Sequence, residues 1–116
     1  MLPELNQELD EFVDGHVNNF IKWDLIVFFH QNQETIGTSR AIATRLGRRQ
    51  EDVAEALASL VASGILKTEP SHEGDIYHFV ADGERAALVG EFITALDSRE
   101  HRLQILTKLL RLGARG

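Results

Sequence analysis

The chain of 116 residues reads as a mainly α (α+β) fold in a single domain, residues 1–116. Three observations predict it. Apolar residues recur at three- and four-residue steps over most of the length, as they do on amphipathic helices. Gly15, Gly47, Gly64 and Gly113 fall where those stripes stop. Between Ile65 and Val80 the pattern changes: Ile65-Leu66-Lys67-Thr68 and Ile76-Tyr77-His78-Phe79-Val80 are extended-type runs on either side of the turn-rich Pro70 to Asp75. A chain of this length buries about two-thirds of its unfolded surface, enough for an independent core.

The elements follow in order. Pro3 suits a first helical position, and Leu5, Leu9, Phe12 and Val13 form one stripe until Gly15 interrupts it. Val17, Phe20, Ile21, Asp24, Val27 and Phe28 mark the next stripe, widened by Trp23, Leu25, Ile26 and Phe29. So wide an apolar face belongs to a helix packed on more than one side. Ser39 is the expected cap of a short helix that turns Ala41, Ile42, Ala43 and Leu46 inward and ends at Gly47. From about Gln50 to Ser63, Val53, Leu57, Leu60 and Val61 make a buried stripe, and Gly64 ends it. The two extended runs then form a hairpin.

Asp82 is expected to cap a last helix running from Gly83 to Leu112, with Gly113 as its terminator. Alternating steps of three and four from Val89 give Phe92, Leu96, Arg99, Leu103, Leu106 and Leu110, a seam broken once by Arg99. Leu88, Ile93, Ile105 and Leu109 add neighbouring apolar positions. Roughly 30 residues of helix would be about 45 Å long, more than a small domain covers, so the surplus needs a partner.

Charge is distributed unevenly. The formal net charge is -6, yet Thr38 to Gln50 holds four arginines and no acid. That island sits where two short helices meet and reads as the phosphate-facing corner of a helix-turn-helix. Glu51, Asp52 and Glu55 follow at once, where a DNA-reading helix is ordinarily neutral or basic.

Ala41-Ile42-Ala43-Thr44-Arg45-Leu46-Gly47 and then Val53 through Leu66 (VAEALASLVASGIL) carry a resemblance to the winged helix-turn-helix superfamily, in the manner of dimeric bacterial regulators of the MarR, ArsR and PadR kinds. Asn19 to Gln31 resembles their first core helix, and Glu34 to Gly37 the short strand that pairs beside the wing. The resemblance covers residues 19–81, with 1–16 and 83–112 as flanking helices. It implies a MarR-like, DNA-binding transcriptional regulator that acts on double-stranded DNA as a homodimer. In such proteins the second helix of the motif enters the major groove and the wing loop reaches the backbone or minor groove. Carried over, Arg48, Arg49 and Gln50 at the start of that helix, Arg40 and Thr44 on the supporting helix, and His72 in the wing loop become DNA-binding residues. Arg49 or Gln50 would make a bidentate contact to guanine or adenine. Dimerisation through the first and last helices is implied in the same way, with Val89, Phe92, Leu96, Leu103, Leu106 and Leu110 in the contact. The other accommodation is a long helix folded back on Leu5, Leu9 and Phe12 of its own chain.

With Val53, Leu57, Leu60 and Gly64 inward, the outward face centres on Glu51, Glu55, Ala58 and Ala62, which repel phosphate or offer it no hydrogen bond. Glu51 and Asp52 also complement the helix dipole, by about 0.3–1 kcal/mol each. The alternative function is therefore a winged-helix protein–protein interaction or assembly module without DNA binding. An enzyme is not expected: the sequence has no Gly-rich phosphate loop and no nucleophile motif, and its five histidines are scattered. No cofactor and no metal is expected. ArsR-like regulators place sensor ligands on the terminal helix, but Asp97 and His101, four apart, read more simply as a surface pair. Phe12, Phe20, Trp23, Phe28, Phe29 and Phe92 belong to helices at the domain-to-dimer junction, where related regulators take apolar ligands, although nothing polar converges among them. The absence of cysteine excludes a disulfide-stapled secreted domain. MLPELNQELDEF lacks a basic leader, and the longest apolar run, Leu25 to Phe29, is far short of the roughly 20 residues that cross a bilayer, so a cytoplasmic protein without a membrane partner is expected.

Overall fold

A computed structural model describes residues 5–113; Pro3 lies outside them. In chain order come α1 (Gln7–His16), α2 (Phe20–Gln31), β1 (Ile36–Thr38), α3 (Ser39–Leu46), α4 (Gln50–Ala62), β2 (Leu66–Glu69), β3 (Ile76–Phe79), α5 (Gly83–Leu96) and α6 (Arg99–Arg111). The result is a mainly helical domain with one small antiparallel sheet.

Side-chain caps fix most helix starts. Asn6 accepts from the Leu9 amide and Asn19 from the Lys22 amide, both at 2.8 Å. Each satisfies a donor that the first turn leaves without a partner, worth about 1 kcal/mol. For α3 the cap is Thr38, whose hydroxyl accepts from the Ala41 amide, and not the expected Ser39. The chain leaves β1 at Thr38 in extended backbone, the conformation an N-cap needs, while Ser39 is already helical. Ala41 is exposed and Leu46 half-buried, so of the four residues expected inside only Ile42 and Ala43 are buried. Asp82 occupies the N-cap position of α5 without a side-chain bond to it.

The sheet has the order β1-β3-β2, so the hairpin β2–β3 is extended by β1 on the far side of β3. Leu66 faces Phe79 and Glu69 faces Ile76 across the hairpin, while Ile36 faces His78. The first strand lies one to two residues later than Glu34 to Gly37.

One apolar cluster runs through the molecule, with α2 at its centre: Leu25, Ile26 and Phe29 have no exposed surface. Phe28 meets Phe29 edge-on at 5.2 Å, and Trp23 meets Phe92 of α5 edge-on at 5.9 Å. Burying one such side chain stabilises the fold by about 1.5–3 kcal/mol, and aromatic pairs add to that. The aromatic residues thus fill the chain's own core.

The largest departure from expectation concerns the C-terminal helix, which is two helices. α5 ends at Leu96, Asp97 is its C-cap, and Ser98 restarts the chain by accepting from the His101 amide. Asp and Ser are weak inside helices because their side chains compete for local backbone groups, and strong at caps for the same reason. Apolar spacing continues across the break, which is why periodicity alone does not reveal it. The break lets α6 fold back on α1, where Lys108 Nζ lies 3.0 Å from Asp10 and 3.8 Å from Asp14. Val89 and Phe92 are buried inside the chain, so they are core and not dimer contacts. Leu96 is half-buried. Ile105 and Leu109 are fully buried, whereas Leu103 is 38% exposed and Leu110 60%. α6 therefore folds back on the chain's own first helix and leaves Leu103 and Leu110 exposed on another of its faces.

Candidate nucleic-acid interface

The basic island becomes the corner between α3 and α4. Gly47 ends α3 in left-handed backbone (φ 67°), where a side chain is strained, and the Arg48 amide returns to the Ala43 carbonyl at 3.0 Å. Arg49 is then in extended backbone and α4 starts at Gln50. Gln50 Nε2 donates to Ser39 Oγ at 3.4 Å, joining the two helix starts.

The four arginines have different fates. Arg48 turns back into the protein: Nε and Nη2 both donate to Asp24 Oδ2, at 2.9 and 2.6 Å, and its side chain is only 21% exposed. This ion pair fastens the corner to α2. Arg45 lies over the Phe28 ring at 4.8 Å, a cation–π contact. Arg49 is exposed and 3.5 Å from Glu51, also exposed, a pair that solvent screening makes nearly neutral in energy. Arg40 is exposed. Thr44 donates its hydroxyl to the Arg40 carbonyl one turn back, at 3.0 Å, and His72 sits exposed in the β2–β3 loop. Of the expected DNA contacts, the corner thus gathers Arg40, Thr44, Arg49 and Gln50, and it commits Arg48 to a structural bond. Asp24 is the residue whose role the sequence reading missed. Its signal was a carboxylate within an otherwise apolar stripe, a position that calls for a buried-side cation.

Beyond its first residue, the outward face of α4 is acidic. Glu51, Asp52, Glu55 and Ala58 are exposed, and Arg49 has no side-chain cap bond at the helix start. A cleft of about 210 Å³ between α2 and α4 is lined by Asn19, Lys22, Asp52, Glu55 and Ser59 among others. Lys22 is buried there and donates to Asn18 Oδ1 at 2.9 Å. Burial pushes its pKa down, and the Glu55 carboxylate partly opposes that shift. Close by, His16 Nδ1 and Ser63 Oγ are 2.6 Å apart, linking α1 to the end of α4. Burial, then the Arg85 and Lys22 cations, lower the His16 pKa from the ordinary 6.5. On the hairpin, Lys67 is flanked by Glu69 at 3.7 Å, and Glu73 and Asp75 are exposed in the loop.

Because Asp97 closes α5 and His101 lies in the first turn of α6, these two residues do not share one helix face. Among the described residues no three His, Cys, Asp or Glu side chains gather as a metal-holding group. No described helix is long and apolar enough to cross a membrane. Comparisons with protein-family models, curated proteins and solved structures find no match for this chain.

Proposed function

We propose that the chain is a winged-helix assembly module, which pairs with a second copy of itself through α6 and acts by protein contact. The observation that carries this reading is the charge on the surface where a DNA reader meets phosphate. Arg48 is bonded to Asp24, Arg45 lies on Phe28, and the exposed Glu51, Asp52 and Glu55 offset the exposed Arg40, Arg45 and Arg49 one for one, so the surface carries no net positive charge. Carboxylates facing a phosphate backbone repel it, and phosphate neutralisation supplies most non-specific DNA affinity. The winged-helix assignment is supported by the succession α3, turn, α4 and hairpin, with β1 beside β3. Self-pairing is supported by the outward leucines of α6.

A DNA-binding transcriptional regulator acting as a homodimer is the second reading, favoured by one feature. Arg40 and Arg49 are both exposed beside the start of α4, whose amides carry no side-chain cap and whose dipole favours an anion. A mobility-shift series on mixed-sequence duplex decides between the two. The assembly reading expects no salt-sensitive binding at low ionic strength, and none created or lost on Arg40→Ala with Arg49→Ala. Binding whose log affinity falls by about 0.9 per neutralised phosphate with log salt, and which those two substitutions abolish, would overturn it.

A further inference from the structure

The outward face of α6 has a charge pattern that selects one mode of self-pairing. Leu103, Leu106 and Leu110 recur at steps of three and four on a face turned about 110° from the buried Ile105 and Leu109; Leu103 and Leu110 are exposed and Leu106 is half-buried, and Arg99 continues the same line toward the start of the helix. At 100° per residue, Glu100 and Arg111 fall on one flank of that line, near its two ends, and both are exposed. Resting on the self-pairing reading above, we infer that two copies associate through α6 in an antiparallel arrangement, with Leu106 near the two-fold axis, Leu103 against the partner's Leu110, and Glu100 beside the partner's Arg111.

Three independent considerations select this orientation. In a parallel pair each Arg99 would face its own counterpart inside the seam, two like charges in a partly desolvated contact. In the antiparallel pair Arg99 falls beyond the end of the partner's helix, which closes at Arg111. Antiparallel packing about a two-fold axis also brings equivalent flanks together, so Glu100 and the partner's Arg111 lie within about 3 Å of the same height along the helix axes, and the contact is made twice. Finally, the helix dipoles of an antiparallel pair oppose each other favourably. A helix of 13 residues is about 20 Å long, so the contact falls below the roughly 800 Å² per partner of a stable complex. The dimer therefore belongs to the weak, concentration-dependent class.

The chain contains no cysteine, which makes orientation directly testable by disulfide trapping. The full chain is prepared as Leu103→Cys and as Leu110→Cys, and each is oxidised alone and mixed. Antiparallel pairing expects a cross-linked dimer chiefly in the mixture. Cross-links formed chiefly by each variant with itself indicate parallel pairing, and no cross-link in a sample that sediments as a dimer places the contact elsewhere; either result overturns the inference while self-pairing stands. A wild-type monomer at tens of micromolar by sedimentation would remove self-pairing and the orientation together. Charge gives a second measure. Glu100→Arg and Arg111→Glu each set two like-charge pairs in their own dimers, whereas the mixture makes both pairs opposite in sign. The mixed dimer should associate about tenfold more tightly than either variant alone at low salt. Equal association in all three samples would overturn the proposed contact.

Discussion

α4 and α6 are each 13 residues long and each bury one apolar stripe, yet they show solvent opposite faces. α4 turns Val53, Ala56, Leu57 and Leu60 inward and carboxylates with alanine outward. α6 turns Ile105 and Leu109 inward and leucines outward. The inward faces are interchangeable in kind, since both meet the same need to remove apolar surface from water. The outward faces are what differ: an exposed leucine line leaves apolar surface in water, while a charged one is well solvated.

The largest expected effect breaks the similarity of the inward faces. Leu57→Ala and Leu109→Ala each empty a fully buried site and should cost about 2–5 kcal/mol in urea unfolding, as large-to-small core substitutions do. A cost well under about 1 kcal/mol for Leu109→Ala alone would mean that α6 is not anchored to the core, and the comparison would fail. Next in size is the outward contrast. Leu103→Glu with Leu110→Glu should leave a folded chain, because both residues already reach solvent, but convert the proposed dimer to monomer in sedimentation. A change to the outward face of α4, Glu51→Gln with Glu55→Gln, should leave the oligomeric state unchanged.

A smaller effect sharpens the account of the corner. Asp24→Asn and Arg48→Ala should each lower stability by about 1 kcal/mol, since the pair is charge-assisted but partly open to solvent. The double substitution should cost less than the sum of the two, and strict additivity in thermal melts would show that the pair contributes nothing. The smallest effect is in pH. His16 has a lowered pKa when folded, so the unfolded chain binds its proton more readily. Its contribution is therefore complete above about 6.5 and is lost as pH falls through the folded value. The urea midpoint of the wild type should drop between pH 7.5 and pH 5.5 by more than that of His16→Gln, with a difference smaller than the loss caused by Asp24→Asn. Parallel pH profiles for the two proteins would remove His16 from this account.

Much of the architecture was legible because it follows from local rules. Gly47 ends α3 where a left-handed residue is needed, the stripe from Val53 to Leu60 gives α4, and the change of period at Ile65 gives the hairpin. The break at Asp97-Ser98 was hidden, because an apolar seam of the right period runs straight across it; the cap at Ser98 was the available signal. The candidate site was legible in part. Sequence placed Arg40, Arg49 and Gln50 at one corner, but it counted Arg48 with them, since the distance from Arg48 to Asp24 spans 24 positions and no local pattern reports it.

Apart from the break at Asp97-Ser98, the sequence by itself determined where helices and strands form, which residues are apolar enough to be inside, and that four arginines lie within one turn region, because each depends on neighbours a few positions away. Only the tertiary structure decided which of two apolar faces of α6 is covered by α1 and which remains open, and which arginine is held by a carboxylate. Those outcomes depend on how distant segments meet. A side chain becomes core, clasp or contact surface only when the partner across the packing interface is known, and the spacing of residues along the chain does not specify that partner.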